Sequence, residues 1–184
     1  LKGDTVLIPI EAHLLTKRFG ELTAVDSLDL TIEEGELFGF IGPNGAGKTT
    51  TLHMLCSQIP PTSGTATVMG LDAAADPISV KTAVGIVPEL EYPPSFLTVE
   101  EYLNFAAAVR GMPENGNVDR WIEFFGLEDK RETMCMSLSK GQKKKTTLSA
   151  ALLHESRLLF MDEPFLDLDP LIQRKLKNWL LDFV

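Results

Sequence analysis

Eight residues, Gly42-Pro43-Asn44-Gly45-Ala46-Gly47-Lys48-Thr49, stand between an apolar run, Leu37-Phe38-Gly39-Phe40-Ile41, and a segment of helical character, Thr50 to Ile59. The apolar run reads as a buried strand, so the eight residues are a glycine-rich turn from strand to helix. The pattern G-x-x-x-x-G-K-[ST] lets successive backbone N–H groups turn inward around phosphate oxygens. The opening of the following helix adds unpaired N–H groups and the positive end of its dipole. In that arrangement Lys48 reaches the β- and γ-phosphates and the Thr49 hydroxyl ligates Mg²⁺. Composition alone produces such a match in a chain of this length about one time in a hundred. The flanking strand and helix make a merely flexible turn a poor reading. The sequence therefore predicts a nucleoside triphosphate site, with Thr50 continuing it into the helix.

The remaining bulk properties narrow the setting. A chain of 184 residues suits a single domain. Its formal net charge of −9 argues against a general nucleic-acid binder, which needs a basic surface. Lys143-Lys144-Lys145 form the only basic cluster and read as the solvated face of a helix. Cys56 and Cys135 are too few for a disulfide framework and fit a reducing cytoplasm. Cys56 reads as a small buried apolar residue. No apolar stretch is long enough to cross a bilayer, and no signal peptide opens the chain. Because it begins at Leu1 rather than Met, the chain reads as a fragment or a processed product.

Local patterning places further elements. Leu28-Asp29-Leu30-Thr31-Ile32 alternates as a half-buried strand does. Glu33-Glu34-Gly35-Glu36 is a turn, Pro60 to Gly64 closes the helix after the glycine turn, and Thr65 to Met69 reads as a short strand. Ala83 to Val87 is a further strand, interrupted at Pro88. Thr98-Val99-Glu100-Glu101 has the form of a capping box, and Val99, Leu103, Ala106, Ala107 and Val109 follow at helical spacing. Asp119 to Phe125 is an amphipathic helix stopped by Gly126. A helix from about 140 to 154 leads to Leu158-Leu159-Phe160-Met161, a run suited to a strand covered on both faces.

That run delivers Asp162-Glu163-Pro164. Two carboxylates at the end of a buried strand supply the second half of a triphosphate-hydrolysing site. Asp162 would hold Mg²⁺ through water opposite Thr49, and Glu163 would polarise the attacking water. Shortly before them, Leu138-Ser139-Lys140-Gly141-Gln142 opens a helix. This segment resembles the Leu-Ser-Gly-Gly-Gln signature of the ATP-binding cassette (ABC) proteins. The resemblance covers about residues 12–184, with four motifs in the family's order.

The resemblance implies two cassettes facing head to tail around two ATP molecules. Ser139, Gly141 and Gln142 would then contact the γ-phosphate held by the opposite copy. It further implies that Phe19, within Lys17-Arg18-Phe19-Gly20, stacks on adenine rather than sitting in a core. Glu89, in Gly85-Ile86-Val87-Pro88-Glu89, falls where most cassettes place a glutamine touching Mg²⁺ and the attacking water. Leu166-Asp167-Leu168-Asp169 matches the loop that crosses the dimer interface. Three departures stand out. Glu89 adds a carboxylate, which predicts tighter dependence on Mg²⁺. Lys140 replaces a signature glycine and either points away or adds a cation near the opposing ATP. Asp167 stands where many members have a small residue. The family's switch histidine lies further on, and none of His13, His53 and His154 is in that place. C-terminal truncation is therefore inferred, with poor ATP hydrolysis expected of residues 1–184 alone.

The implied fold is α/β: a three-layer phosphate-loop NTPase core with a mostly parallel sheet carrying loop and acidic strand side by side. An antiparallel β region lies N-terminal, around adenine. Residues 1–91 and 139–184 form the core in this reading, and a helical subdomain spans about 92–138. The implied function is the ATP-binding, ATP-hydrolysing subunit of a transporter, prokaryotic and of export type. Its membrane permease subunits are separate polypeptides, and the cassette lies peripherally on the cytoplasmic face. Tyr92-Pro93-Pro94-Ser95-Phe96-Leu97 offers a docking contact for such subunits, or is an ordinary connecting loop. A non-transport cassette, acting in translation or on DNA, is the second class. The short interval from Lys48 to Ser139 lacks the heptads that DNA-repair types carry there. A different phosphate-loop enzyme, a kinase or GTPase, ranks last, since no Asn-Lys-x-Asp motif is present.

Overall fold

The computed structural model describes residues 8–89, 93–112 and 117–184. Tyr92, part of the proposed docking segment, lies outside them. The chain divides into two compact units, Leu1–Val84 with Leu180–Val184, and Gly85–Trp179.

In the first unit, β1 (Ile10–Phe19) and β2 (Leu22–Ile32) form an antiparallel hairpin. β3 (Ser63–Val68) joins the other edge of β1, and β4 (Leu71–Asp72) follows it, giving the order β2-β1-β3-β4. The alternation at Leu28 to Ile32 is realised on β2: Asp29 and Thr31 face solvent while Ile32 is buried. Helix α1 (Lys48–Leu55) packs against β3 and β2 and buries Met54 and Leu55; Ile10, Leu15 and Val68 of the sheet are buried as well. It ends several residues before Ile59. Ser57 adopts a left-handed conformation, and the N–H groups of Gln58 and Ile59 both turn back to the His53 carbonyl. The residue before a proline avoids helical geometry, so Pro60 and Pro61 already disfavour continuation. Cys56 is buried as expected, and desolvation pushes its thiol up to about 11. Helix α2 (Pro77–Ala83), with proline in its first turn, completes the unit.

The strand expected at Leu37 to Ile41 does not form. Leu37 is 60% and Ile41 99% exposed, and no described strand pairs with the run. A strand exists through its ladder partners, and an apolar run carries no information about whether a partner edge reaches it.

In the second unit, β5 (Gly85–Val87) and β6 (Leu159–Met161) pair in parallel, register Val87 to Met161. Gly85 starts β5 two residues later than expected, the preceding turn being helical. Helices α3 (Val99–Val109), α4 (Val118–Phe125) and α5 (Lys140–Leu152) pack together, and α5 also packs on β5. Trp121, Phe125, Leu103 and Leu148 are buried at their centre, and Trp121 meets Trp179 edge-on. Helix α6 (Pro170–Phe183) buries Ile172 and Leu176 in this unit, and its last turn, with the buried Leu180, is counted with the first.

Helix α3 begins as the sequence predicts. Thr98 Oγ1 accepts the Glu101 N–H at 3.2 Å, and the Thr98 N–H donates to Glu101 Oε2 at 2.9 Å. Thr98→Ala should therefore cost about 1 kcal/mol. A urea-unfolding midpoint unmoved by the change would show that this cap contributes nothing.

The three lysines are not a solvated face. Lys144 is only 6% exposed, and the Lys145 side chain is largely covered and paired with Asp169 at 2.9 Å. The reason is tertiary: α5 is packed by α3, α4 and β5, so residues about 100° apart around its axis cannot all face water. Its polar residues are accommodated locally. Thr146 Oγ1 donates to the Gln142 carbonyl and Ser149 Oγ to that of Lys145, each one turn back.

Candidate nucleotide site

In the first unit the glycine-rich turn runs directly into α1. Gly45 and Gly47 have φ of 82° and 85°, and Gly47 is the N-cap residue. No side chain caps this helix, so its first N–H groups remain available for an anion. Lys48 Nζ donates to the carbonyls of Gly42 and Pro43, each at 2.9 Å, which folds its ammonium over the loop. Thr51 turns inward, its hydroxyl donating to the Gly47 carbonyl at 2.9 Å, while Thr49 and Thr50 stay partly exposed. Gly47 also lies against β2. A Cβ there would stand 2.3 Å from the Ala24 carbonyl oxygen. Phe19, at the end of β1, is half exposed with Lys17 Nζ 5.2 Å from its ring centre, so it is not a core residue.

In the second unit the acidic residues gather at the carboxyl ends of β5 and β6. The Asp162 N–H donates to the Val87 carbonyl at 2.9 Å, extending the ladder by one residue. Asp162 and Glu163 therefore follow β6 at the end where Pro88 and Glu89 follow β5. Asp162 Oδ2 is buried and has no hydrogen-bond partner among the described residues. Glu163 is exposed, with a left-handed φ of 49°. A buried carboxylate oxygen without a donor suits a hard cation, so Asp162 fits Mg²⁺. The orphan N–H groups and ammonium of the loop likewise fit a triphosphate.

Sequence reasoning missed Lys144 at this cluster. Its ammonium donates to the Pro88 carbonyl at 3.2 Å, between Val87 and Glu89. Burial pulls its pKa down, and the charges of Asp162, Asp167, Glu89 and Glu163 oppose that shift. The run of three lysines carried no mark to single it out; only the packing of α5 does.

The signature segment begins α5. Ser139 is the N-cap, its Oγ accepting the Gln142 N–H at 3.3 Å, and the Ser139 N–H donates to Gln142 Oε1 at 2.9 Å. Ser139 and Gln142 thus form a capping box, with the serine oxygen as acceptor and its O–H left to donate elsewhere. Gly141 passes close to the interface loop: a Cβ would stand 2.7 Å from the Asp167 carbonyl oxygen.

Two of the three departures meet here. Lys140 Nζ lies 2.9 Å from Asp167 Oδ2, so the added cation and the added carboxylate are partners. Their opposite signs were the signal available in the sequence. The pair is partly exposed, so a double-mutant cycle over Lys140→Ala and Asp167→Ala should give a coupling of about 0.5 kcal/mol. Exchange of the two charges, K140D with D167K, should recover stability relative to either single reversal. Additive single effects in thermal melts would dissolve the pair.

An α/β chain with such a loop at the start of a helix, and two carboxylates following a parallel strand, is a phosphate-loop NTPase fold. More narrowly, the chain belongs to the ABC transporter family, whose model matches residues 25–166. It is 39% identical over 181 residues to the probable multidrug ABC transporter ATP-binding protein YbhF of Escherichia coli K12, covering 97% of this chain and 30% of that protein. It is 35% identical to the Nod factor export ATP-binding protein I of Ralstonia nicotianae, covering 97% of this chain and 57% of the relative. A solved ATP-binding subunit of an ABC transporter superposes with a TM-score of 0.85 at 29% identity, covering 95% of this chain and 74% of that one. The chain thus spans 30% and 57% of the length of these two curated relatives. Among the described residues no helix is long and apolar enough to cross a membrane.

Proposed function

We propose that this chain is the ATP-binding cassette of an export-type transporter, coupling ATP binding and hydrolysis to movement in separate permease subunits. The observation that carries the reading is the glycine-rich loop: two left-handed glycines, an uncapped helix start, and the Lys48 ammonium held over the loop. Backbone N–H groups from Gly42 to Thr50 cradle the phosphates, Lys48 neutralises them, and Phe19 stacks on adenine. Thr49, Asp162 and Glu89 hold Mg²⁺, which supplies charge neutralisation on the phosphates. Glu163 orients and polarises the attacking water. Ser139 and Gly141 present an O–H and an N–H to the nucleotide of a second copy placed head to tail, with Gln142 fixing the serine. The core comprises residues 1–91 and 139–184, and the segment 92–138 is the helical subdomain. Export relatives support the direction of transport, and the cassette sits on the cytoplasmic face through its permease.

The test has two arms. ATP should be retained by the protein and displaced by excess ATP far better than by GTP; equal displacement would point to a different phosphate-loop enzyme. Tagged protein should also recover a polytopic membrane protein from detergent-solubilised membranes of its source cell. Recovery of ribosomes or DNA-associated proteins instead would assign the same ATP chemistry to a non-transport cassette.

A further inference from the structure

Lys17 and Phe19 stand two residues apart on β1, so strand alternation puts both side chains on one face. The Lys17 ammonium lies over the Phe19 ring, 5.2 Å from its centre and within range of a cation–π attraction. The same ammonium donates to the Pro60 carbonyl at 2.6 Å. Two more hydrogen bonds join these segments. The Thr62 N–H donates to the Thr16 carbonyl at 2.8 Å, and the Arg18 N–H to Thr62 Oγ1 at 3.0 Å. Pro60 and Pro61 each have φ fixed by their ring, so the carbonyl that holds the ammonium is carried on stiff backbone.

This corner adjoins the phosphate loop within the first unit. Lys17 pairs with Val25 across the hairpin, and a Cβ on Gly47 would stand 3.2 Å from Val25 Cγ2. The end of β1 is thereby tied to the head of α1 through Val25 and to the segment beyond its tail through Pro60. Phe19 itself is half exposed, and a ring in that setting exchanges rotamers unless something holds it.

We propose that Lys17 is a positioning residue for the base of the bound nucleotide. Its ammonium, fixed on the Pro60 carbonyl, covers one face of the Phe19 ring and holds the other open for stacking. The inference rests on the nucleotide reading above, in which Phe19 stacks on adenine. Lys17 acts through the ring: a side chain ordered before the base arrives has less rotamer freedom to lose on binding.

The contribution of the base can be measured without turnover. The readout is the dissociation constant for inorganic tripolyphosphate divided by that for imido-bridged, nonhydrolysable ATP, both in excess Mg²⁺. Phe19→Ala should lower this ratio about tenfold, the size of a lost base–aromatic stack. Lys17→Met, which keeps an aliphatic stem and removes the charge, should lower it about threefold. Lys17→Arg, with a cation and donors retained, should stay near the wild-type value. K17M combined with F19A should fall no further than F19A alone, since no ring is left to hold. A lysine that merely staples the strand would weaken both ligands together and leave the ratio fixed.

If K17M does not fold, Lys17→Gln takes its place, with the charge equally removed and an amide left to bond Pro60. An unmoved ratio in the folded variant, beside a lowered one in F19A, overturns the inference and leaves the nucleotide reading standing. A double variant that falls well below F19A overturns it too, because Lys17 would then act on the nucleotide without the ring. An F19A ratio equal to wild type would instead remove the stacking of Phe19 from the nucleotide reading, and this inference with it.

Discussion

Glu163→Gln should lower ATP cleavage by about 10²–10³-fold while ATP retention stays within a few-fold of wild type. Glutamine has the shape of glutamate but cannot take up a proton or strongly orient a water. Glu163 is exposed at the carboxyl end of β6, so an isosteric change there should leave the fold intact. Its left-handed φ of 49° is uncommon for a residue other than glycine, asparagine or aspartate, and glutamine tolerates it no worse. The measurement is a single-turnover assay, with cleaved and retained nucleotide counted on the same sample. Unchanged cleavage would remove Glu163 from the chemistry. Loss of binding along with cleavage would make it part of the nucleotide's seat instead.

Gly47→Ala should be the most damaging small substitution in the loop. The residue sits at φ 85°, and its Cβ would lie 2.3 Å from the Ala24 carbonyl oxygen and 3.2 Å from Val25 Cγ2. The left-handed conformation alone costs about 1–2 kcal/mol for a residue with a Cβ. The clash is with backbone of β2, which cannot swing aside as a side chain would. Loss of about 3 kcal/mol or more, with ATP retention abolished, is expected. Gly45→Ala is the control. Its φ of 82° is nearly the same, yet nothing lies within 4 Å of the added atom. Only the conformational cost of about 1 kcal/mol should remain there. Equal shifts in the urea midpoints of the two variants would mean that the approach of the loop to β2 is not what requires Gly47.

What could be read in advance was local. The Thr98 and Glu101 capping box spans four residues, and each partner is within reach whatever the rest of the chain does. The alternation of Leu28 to Ile32, the stop at Gly126 and the start of α5 at Ser139 are of the same kind. Two helices escaped although their local marks were present. Pro77 stands in the first turn of α2. Asp169 Oδ1 accepts the Ile172 N–H at 3.0 Å at the head of α6, where Pro170 begins the helix. Ile172, Leu176 and Leu180 recur every four residues and are all buried. That four-residue spacing is present in the sequence itself.

Family membership and the glycine-rich turn into α1 followed from the sequence by itself, because such a turn is built from backbone conformations that neighbouring residues dictate. The fates of Leu37–Ile41 and of the three lysines were decided only in three dimensions. Apolarity marks a run that can be a strand, but the hydrogen bonds of a strand belong to another segment. Likewise, a row of ammonium groups on a helix faces water only where nothing packs. The helices and strand around α5 bury Lys144 and bring its ammonium to the Pro88 carbonyl at the end of β5, and the pairing of Lys140 with Asp167 is likewise made only in three dimensions. These contacts join residues far apart in the chain, and distance along the chain is what a local pattern cannot span.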